Sequence, residues 1–166
     1  MYKPAVEAIN LELTTRCNAR CPMCSRTDNP LIEDNPSEIT LSKFKKYFPP
    51  DFISNLRLIT FSGSFGDSSL ARDCNEIHKY ITDINPDITL VFHTNGGARN
   101  PSFWKELGQH YTAPNRYLVF HIDGLQDTNH IYRVDVVFDK VIENAKTEIN
   151  IGARAVWAMI VFAHNE

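Results

Sequence analysis

Leu11-Glu-Leu-Thr-Thr-Arg-Cys-Asn-Ala-Arg-Cys-Pro-Met-Cys-Ser25 carries an alternating apolar segment straight into three cysteines, Cys17, Cys21 and Cys24. Apolar–polar alternation reads as a half-buried strand, placed at about Ala8 to Thr15. The spacing, three residues between the first pair of cysteines and two between the second, lets an irregular loop turn its sulfurs toward one point. Pro22 fixes one torsion of that loop and removes one N–H. Thiolate is a soft ligand that selects zinc, copper(I) or iron–sulfur clusters. Structural zinc takes four protein ligands, and a four-cysteine cluster is coordinatively closed. Three cysteines therefore leave one position open for a small molecule. The alternative is a reduced, unliganded trio, or a zinc knuckle completed by a histidine. Disulfides do not fit, since nothing else in the chain points to secretion.

Outward from this loop, the 166 residues, with a formal net charge of -3 and 43% hydrophobic content, suit a single soluble domain over 1–166 with enough chain to bury a core. The start of the sequence lacks the basic and long apolar segments of a signal peptide. The longest apolar run, Ala155 to Ala163, is too short to span a bilayer. A cytoplasmic location is expected. Without a block of lysine or arginine, neither nucleic acid nor an anionic membrane is implied as a partner.

Strand and helix signals alternate along the chain, which is the α/β pattern. Asn29 to Ser37, with two prolines, reads as a loop able to lie over a site. Thr40 is a candidate cap for a helix that Pro49-Pro50 stops. A second strand, Leu56 to Phe61, ends in Ser62-Gly-Ser-Phe-Gly-Asp67. Leu70, Cys74, Ile77, Ile81 and Ile84 then fall on one helical face, which makes Cys74 a core residue rather than a fourth ligand. A third strand, Ile88 to His93, runs into Thr94-Asn-Gly-Gly97, and Asn100-Pro101 opens the next helix. A fourth strand, Tyr117 to Ile122, leads to Asp123-Gly124. The helix from Phe138 is expected to bury Val141, Ile142, Ala145 and Ile149 and to stop at Gly152. Ala155 to Phe162 is almost wholly apolar, as a parallel strand covered on both faces should be. The sum is an incomplete parallel (β/α) barrel of about five strands with four crossover helices. Its unusual loops all follow strand ends, where parallel α/β folds bind ligands.

C-x3-C-x2-C directly after a first strand resembles the radical S-adenosylmethionine (SAM) superfamily. The resemblance implies a 4Fe-4S cluster held by Cys17, Cys21 and Cys24, with SAM on the fourth iron. The family usually has an aromatic residue where this chain has Met23, and a soft thioether is expected to pack beside the cluster in its place. Ser62-Gly-Ser-Phe-Gly-Asp67 is similar to the family's glycine-rich segment after the second strand. That likeness implies SAM contacts from Gly63, Ser64, Gly66 and Asp67. Thr94-Asn-Gly96 resembles a turn of the peptide-modifying branch and adds Asn95 to the candidates, with His93 beside it. His121-Ile-Asp-Gly124 followed by Arg133 resembles that branch's fourth-strand signature, with His121 in place of serine. It implies that Arg133 grips the SAM carboxylate, with His121 and Asp123 near it. Read without the resemblance, Arg133 is a surface ion pair with Asp135 or Asp127, and Arg16 and Arg20 are either cluster-loop cations or solvated charges.

A radical SAM core has six strand–helix units, so this chain is about one unit short. The resemblance implies an external electron donor such as flavodoxin or ferredoxin, and reductive cleavage of SAM to a 5′-deoxyadenosyl radical that abstracts hydrogen from an unknown substrate, a peptide being the class suggested. The competing readings are a non-catalytic iron–sulfur or SAM-binding module and one half of a split enzyme that needs a complementary subunit.

Overall fold

The computed structural model describes residues 6–166. Among them, five strands form one sheet in the order β1-β2-β3-β4-β5, every neighbouring pair parallel. The strands are β1 (Ala8–Leu11), β2 (Leu58–Phe61), β3 (Thr89–Thr94), β4 (Arg116–His121) and β5 (Ala155–Ala158). Sequential order with parallel pairing requires a crossover after each strand. These are supplied by α1 (Pro30–Asp34), α2 (Leu41–Tyr47) and α3 (Pro50–Ser54) after β1, α4 (Cys74–Ile84) after β2, α5 (Pro101–Gly108) after β3, and α6 (Asn129–Tyr132) with α7 (Phe138–Asn150) after β4. This is the expected partial barrel, with the crossover after β1 built from short pieces.

Local signals set most boundaries. The Thr40 side chain accepts a hydrogen bond from Lys43 N, and the Asn100 side chain accepts one from Phe103 N. Each satisfies an N–H that the first helical turn leaves open. Gly152, at φ +84°, sits just past α7, where a left-handed residue ends a helix without a Cβ clash. Pro49-Pro50 does end α2, and Pro50 also starts α3.

The helices cover one face of the sheet. Ile59, Phe61, Leu90, Phe92, Leu118 and Phe120 are buried there with Ile77, Ile81, Trp104 and Leu107. Cys74 is fully buried on that stripe, as expected. The other face carries Thr60, Val91, His93 and His121, all of intermediate exposure.

Three expectations are corrected. The segment 29–37 is not a free loop: it contains α1 and is tied down where Thr15 N donates to Ser37 O at 3.0 Å and Ile39 N to Leu13 O at 2.8 Å. α7 buries Val141 and packs Ile142 and Ala145 against the core as expected, but Ile149 is 58% exposed and Asn144 and Glu148 are fully buried. The apolar stretch 155–162 is only in part a strand, and Val156 and Trp157 on β5 are exposed. Nothing among the described residues covers that edge. No helix among them is long and apolar enough to cross a membrane.

Candidate metal and cofactor site

At the carboxyl ends of the strands, a pocket of about 370 Å³ is lined by Cys17, Cys21, Cys24, Gly63, Ser64, Gly66, Asp67, Asn95, His121 and Arg133, joined by His93, Arg26 and Ile160. Ten of the eleven residues singled out by sequence thus line one cavity, and the eleventh, Asp123, lies beneath it, fully buried.

β1 stops at Leu11, and the chain then bends into the cysteine loop. Its course is fixed from outside: Leu13 N donates to Ser68 Oγ, Arg20 N to Val134 O, and Asp67 N to Arg16 O. All three thiols are free of disulfides. Cys17 Sγ accepts from Ala19 N at 3.4 Å and from Asn95 Nδ2 at 3.6 Å, while Cys21 Sγ accepts from Arg133 Nη1 at 3.6 Å. Cys24 Sγ faces Ser64 O at 3.8 Å. Burial first, then the charge of Asp67, pushes the Cys17 thiol up to about 11. Burial also raises Cys21, against the pull of Arg133. Such thiols lose their protons readily only to a metal, which stabilises the thiolate directly.

The residues fit an incompletely ligated cluster. Soft donors with N–H groups aimed at their sulfurs are the partners a cluster thiolate uses. Among the described residues no group of three or more His, Cys, Asp or Glu side chains is gathered closely enough to hold a single metal ion. Met23, expected to pack beside the cluster, is 73% exposed.

The glycine segment leaves no room for side chains. A Cβ on Gly63 would lie 1.6 Å from Gly66 O, and one on Gly66 would lie 2.0 Å from Thr14 O. Glu12 steadies the segment by accepting from Phe65 N at 3.0 Å. Asp67, only 4% exposed, spends its carboxylate on the protein. Oδ1 accepts from Ser69 N and Oγ at 3.0 and 2.7 Å, and Oδ2 accepts from Thr94 Oγ1 and Asn95 N at 2.8 and 2.9 Å.

Arg133 pairs with neither Asp135 nor Asp127 but with Asp123, Nε to Oδ2 at 2.5 Å. The other Asp123 oxygen accepts from Ile160 N at 2.6 Å. Burial works against the guanidinium's charge, and Cys21 and Asp123 outweigh it, so Arg133 is held more firmly charged than an exposed arginine. Arg16 pairs with Glu38, and Arg20 lies 3.8 Å from Asp135. His93 Nδ1 and His121 Nε2 are 2.9 Å apart, one donating and the other accepting, which requires a shared proton. Burial lowers both, and with help from the nearby Arg133 takes His121 down to about 4. The pair is neutral at pH 7.

Sequence reasoning missed Arg26 and Ile160, whose signals are only an arginine behind the cysteines and one residue in an apolar run. Beyond β5, Asn165 Nδ2 donates to Asp123 O at 2.7 Å, bracing the Asp123 turn.

Five parallel strands presenting three cysteines, a glycine-rich turn and a buried arginine at one end define a cluster-bearing α/β barrel protein. A family model described as the radical SAM superfamily matches residues 11–166, and the chain belongs to that superfamily. Its cofactors are accordingly a 4Fe-4S cluster and S-adenosylmethionine. A comparison with curated proteins finds no match. Among solved structures, the chain is similar to anSMEcpe with bound AdoMet and Cp18Cys peptide, with 16% identity, TM-score 0.63, and 90% of this chain covering 42% of that one. It is similar to Streptococcus suis SuiB bound to S-adenosylmethionine, with 14% identity, TM-score 0.65, and 93% of this chain covering 32%. It also resembles methylornithine synthase (PylB), with 11% identity, TM-score 0.65, and 92% covering 44%. The chain spans less than half the length of these three.

Proposed function

We propose that this chain is a catalytic radical SAM domain, residues 1–166, in which Cys17, Cys21 and Cys24 hold the cluster and the remaining pocket residues hold SAM. The observation that carries the reading is the convergence of three free thiols, each accompanied by a polar partner, with a cationic guanidinium in one pocket. When bound and reduced, the cluster and SAM supply a 5′-deoxyadenosyl radical that takes a hydrogen atom from substrate.

The protein's own work is binding and exclusion of water. Backbone oxygens of Gly63, Ser64 and Gly66 are offered to the SAM amino group, since glycine lets main chain approach a ligand closely. Arg133 would hold the SAM carboxylate with the guanidinium donors that neither Asp123 nor Cys21 engages. His121, bonded to His93, lines the same wall and offers its other ring nitrogen. Asp67, Asp123 and Asn95 contribute chiefly by fixing these groups in place. An external donor such as flavodoxin or ferredoxin supplies the electron, and free thiols suit the reducing cytoplasm. Support for a peptide substrate comes from anSMEcpe and SuiB, whose structures include bound peptides. The exposed β5 edge, with Val156 and Trp157 open, favours a second reading in which a complementary subunit completes the barrel.

Anaerobic reconstitution is expected to give about four irons per chain, and dithionite with SAM is expected to release 5′-deoxyadenosine. Cys→Ala at any of the three positions abolishes both. SAM bound but never cleaved would instead make the chain a non-catalytic binding module, and a colourless protein with one zinc would end the iron–sulfur reading.

A further inference from the structure

Asn95 reaches across 78 residues of sequence to a cluster cysteine, and its side-chain amide is oriented without ambiguity. Its Oδ1 accepts from Gly97 N at 2.8 Å, and a backbone N–H can only donate. The Nδ2 end is therefore the one that meets Asn18 Oδ1 at 3.0 Å and Cys17 Sγ at 3.6 Å. Its backbone N–H and the neighbouring Thr94 hydroxyl both end on one oxygen of Asp67. Asp67 in turn donates its own N–H to Arg16 O, next to Cys17. One buried residue thus joins the loops after β1, β2 and β3, its backbone N–H bonding the first and its carboxylate the third.

We propose that Asn95, held in place by Asp67, tunes the reduction potential of the cluster through an N–H···S bond to Cys17. The inference rests on the cluster reading above. Reduction adds negative charge that spreads onto the cysteine sulfurs, and a donor aimed at a sulfur favours the reduced state and raises the potential. The donors are unevenly shared. Cys17 has two and Cys21 has Arg133, whereas Cys24 meets a carbonyl oxygen, which can only repel a thiolate. Asn95 is the neutral side-chain donor of the set, so changing it leaves the charge of the site intact. Asp67 is a positioning residue: both its carboxylate oxygens are taken up by Ser69, Thr94 and Asn95, and it acts through Asn95.

The test is a redox titration of the anaerobically reconstituted protein, followed by the electron paramagnetic resonance signal of the reduced cluster, with iron content measured alongside. Asn95→Leu is expected to load iron as the wild type does and to shift the midpoint to lower potential. Asn95→Ser, too short to reach the sulfur yet able to accept from Gly97 N, is expected to shift it likewise and serves if the leucine variant loads poorly. Asp67→Asn takes a negative charge from beside Cys17, which by itself raises the midpoint, and loosens the hold on Asn95, which lowers it. In the Asn95→Leu background only the charge effect is left, so Asp67→Asn is expected to raise the midpoint more there than in the wild type, the sign of a residue acting through another. An unmoved midpoint in both Asn95 variants with full iron overturns the tuning, and additive shifts in the double variant overturn the role of Asp67. A wild-type protein that takes up no four-iron cluster removes the underlying reading instead.

Discussion

At the pocket rim, Asp67 and Asp123 are buried carboxylates with every oxygen engaged, whereas in the helix layer Glu148 is fully buried and neither of its oxygens has a hydrogen-bond partner. Burying a charge is expensive unless donors surround it. The rim meets that condition with backbone N–H groups, hydroxyls and a guanidinium, so charge can persist beside the thiols. Between α5 and α7 the condition is not met, and burial alone lifts Glu148 to about 8. At pH 7 it is a protonated, neutral group packed against Gly108, where any Cβ would lie 1.8 Å from its Oε2. The chain thus keeps ions where the site uses them and suppresses one where nothing does.

The largest expected effect tests the rim. Asp67→Ala leaves the Thr94 and Ser69 hydroxyls and two backbone N–H groups without their acceptor, which is expected to cost about 3–5 kcal/mol of stability, in the range for losing one member of a buried charged network. Chemical denaturation of the cluster-free protein measures it. A loss under about 1 kcal/mol, in the range of a single ordinary hydrogen bond, would show that the rim is not held by its carboxylate.

Glu148 gives the next effect, and its sign is opposite. A carboxyl raised from 4.5 to about 8 on folding contributes stability that is fully present below pH 4.5 and is lost as pH rises through 8. Glu148→Gln removes that dependence, so the variant is expected to gain about 2–3 kcal/mol on the wild type between pH 5 and pH 9. Parallel stability curves for the two proteins would place a hidden partner beside the carboxylate and dissolve the contrast.

The histidine pair stands between these extremes, half-buried but mutually bonded. His121, lowered from 6.5 to about 4, contributes stability present above pH 6.5 and lost as pH falls through 4. Because the ring is partly open to solvent, His121→Gln is expected to remove only about 1 kcal/mol of that pH dependence. Denaturation midpoints at pH 7 and pH 4.5 read it out.

What the sequence showed of all this follows from distance along the chain. The cysteines, the helix caps at Thr40 and Asn100 and the stop at Gly152 are legible because each depends on residues within a few positions. The bond from Asn95 to Cys17 and the bond from Thr94 to Asp67 span 78 and 27 residues, and no local pattern encodes them. The turn of α7 was misjudged for a different reason. Apolar periodicity selects Ile149, whereas the face that meets the sheet and α5 carries Asn144 and Glu148. Asn144 is drawn in by Gly96 O and Ala98 O, to which its Nδ2 donates at 2.8 and 3.3 Å. A polar side chain with distant partners is invisible to a rule that sorts residues by hydrophobicity.

The smallest effect sets the scale for the others. Lys79 and Asp83 are four residues apart on α4 and 2.8 Å apart in space, as short a contact as those on Asp67, with side chains 66% and 60% exposed. If distance decided strength, Lys79→Ala would rival a rim substitution. Solvent screens this pair, and holding two long side chains together offsets part of the attraction, so the loss is expected to be about 0.3–0.5 kcal/mol and to vanish in 1 M salt. Asp67 should keep its effect in the same salt, because its donors are buried with it. Denaturation of both variants at low and high salt therefore separates burial from proximity as the source of strength; equal salt sensitivity in the two would mean that the rim carboxylate is as well solvated as the surface pair.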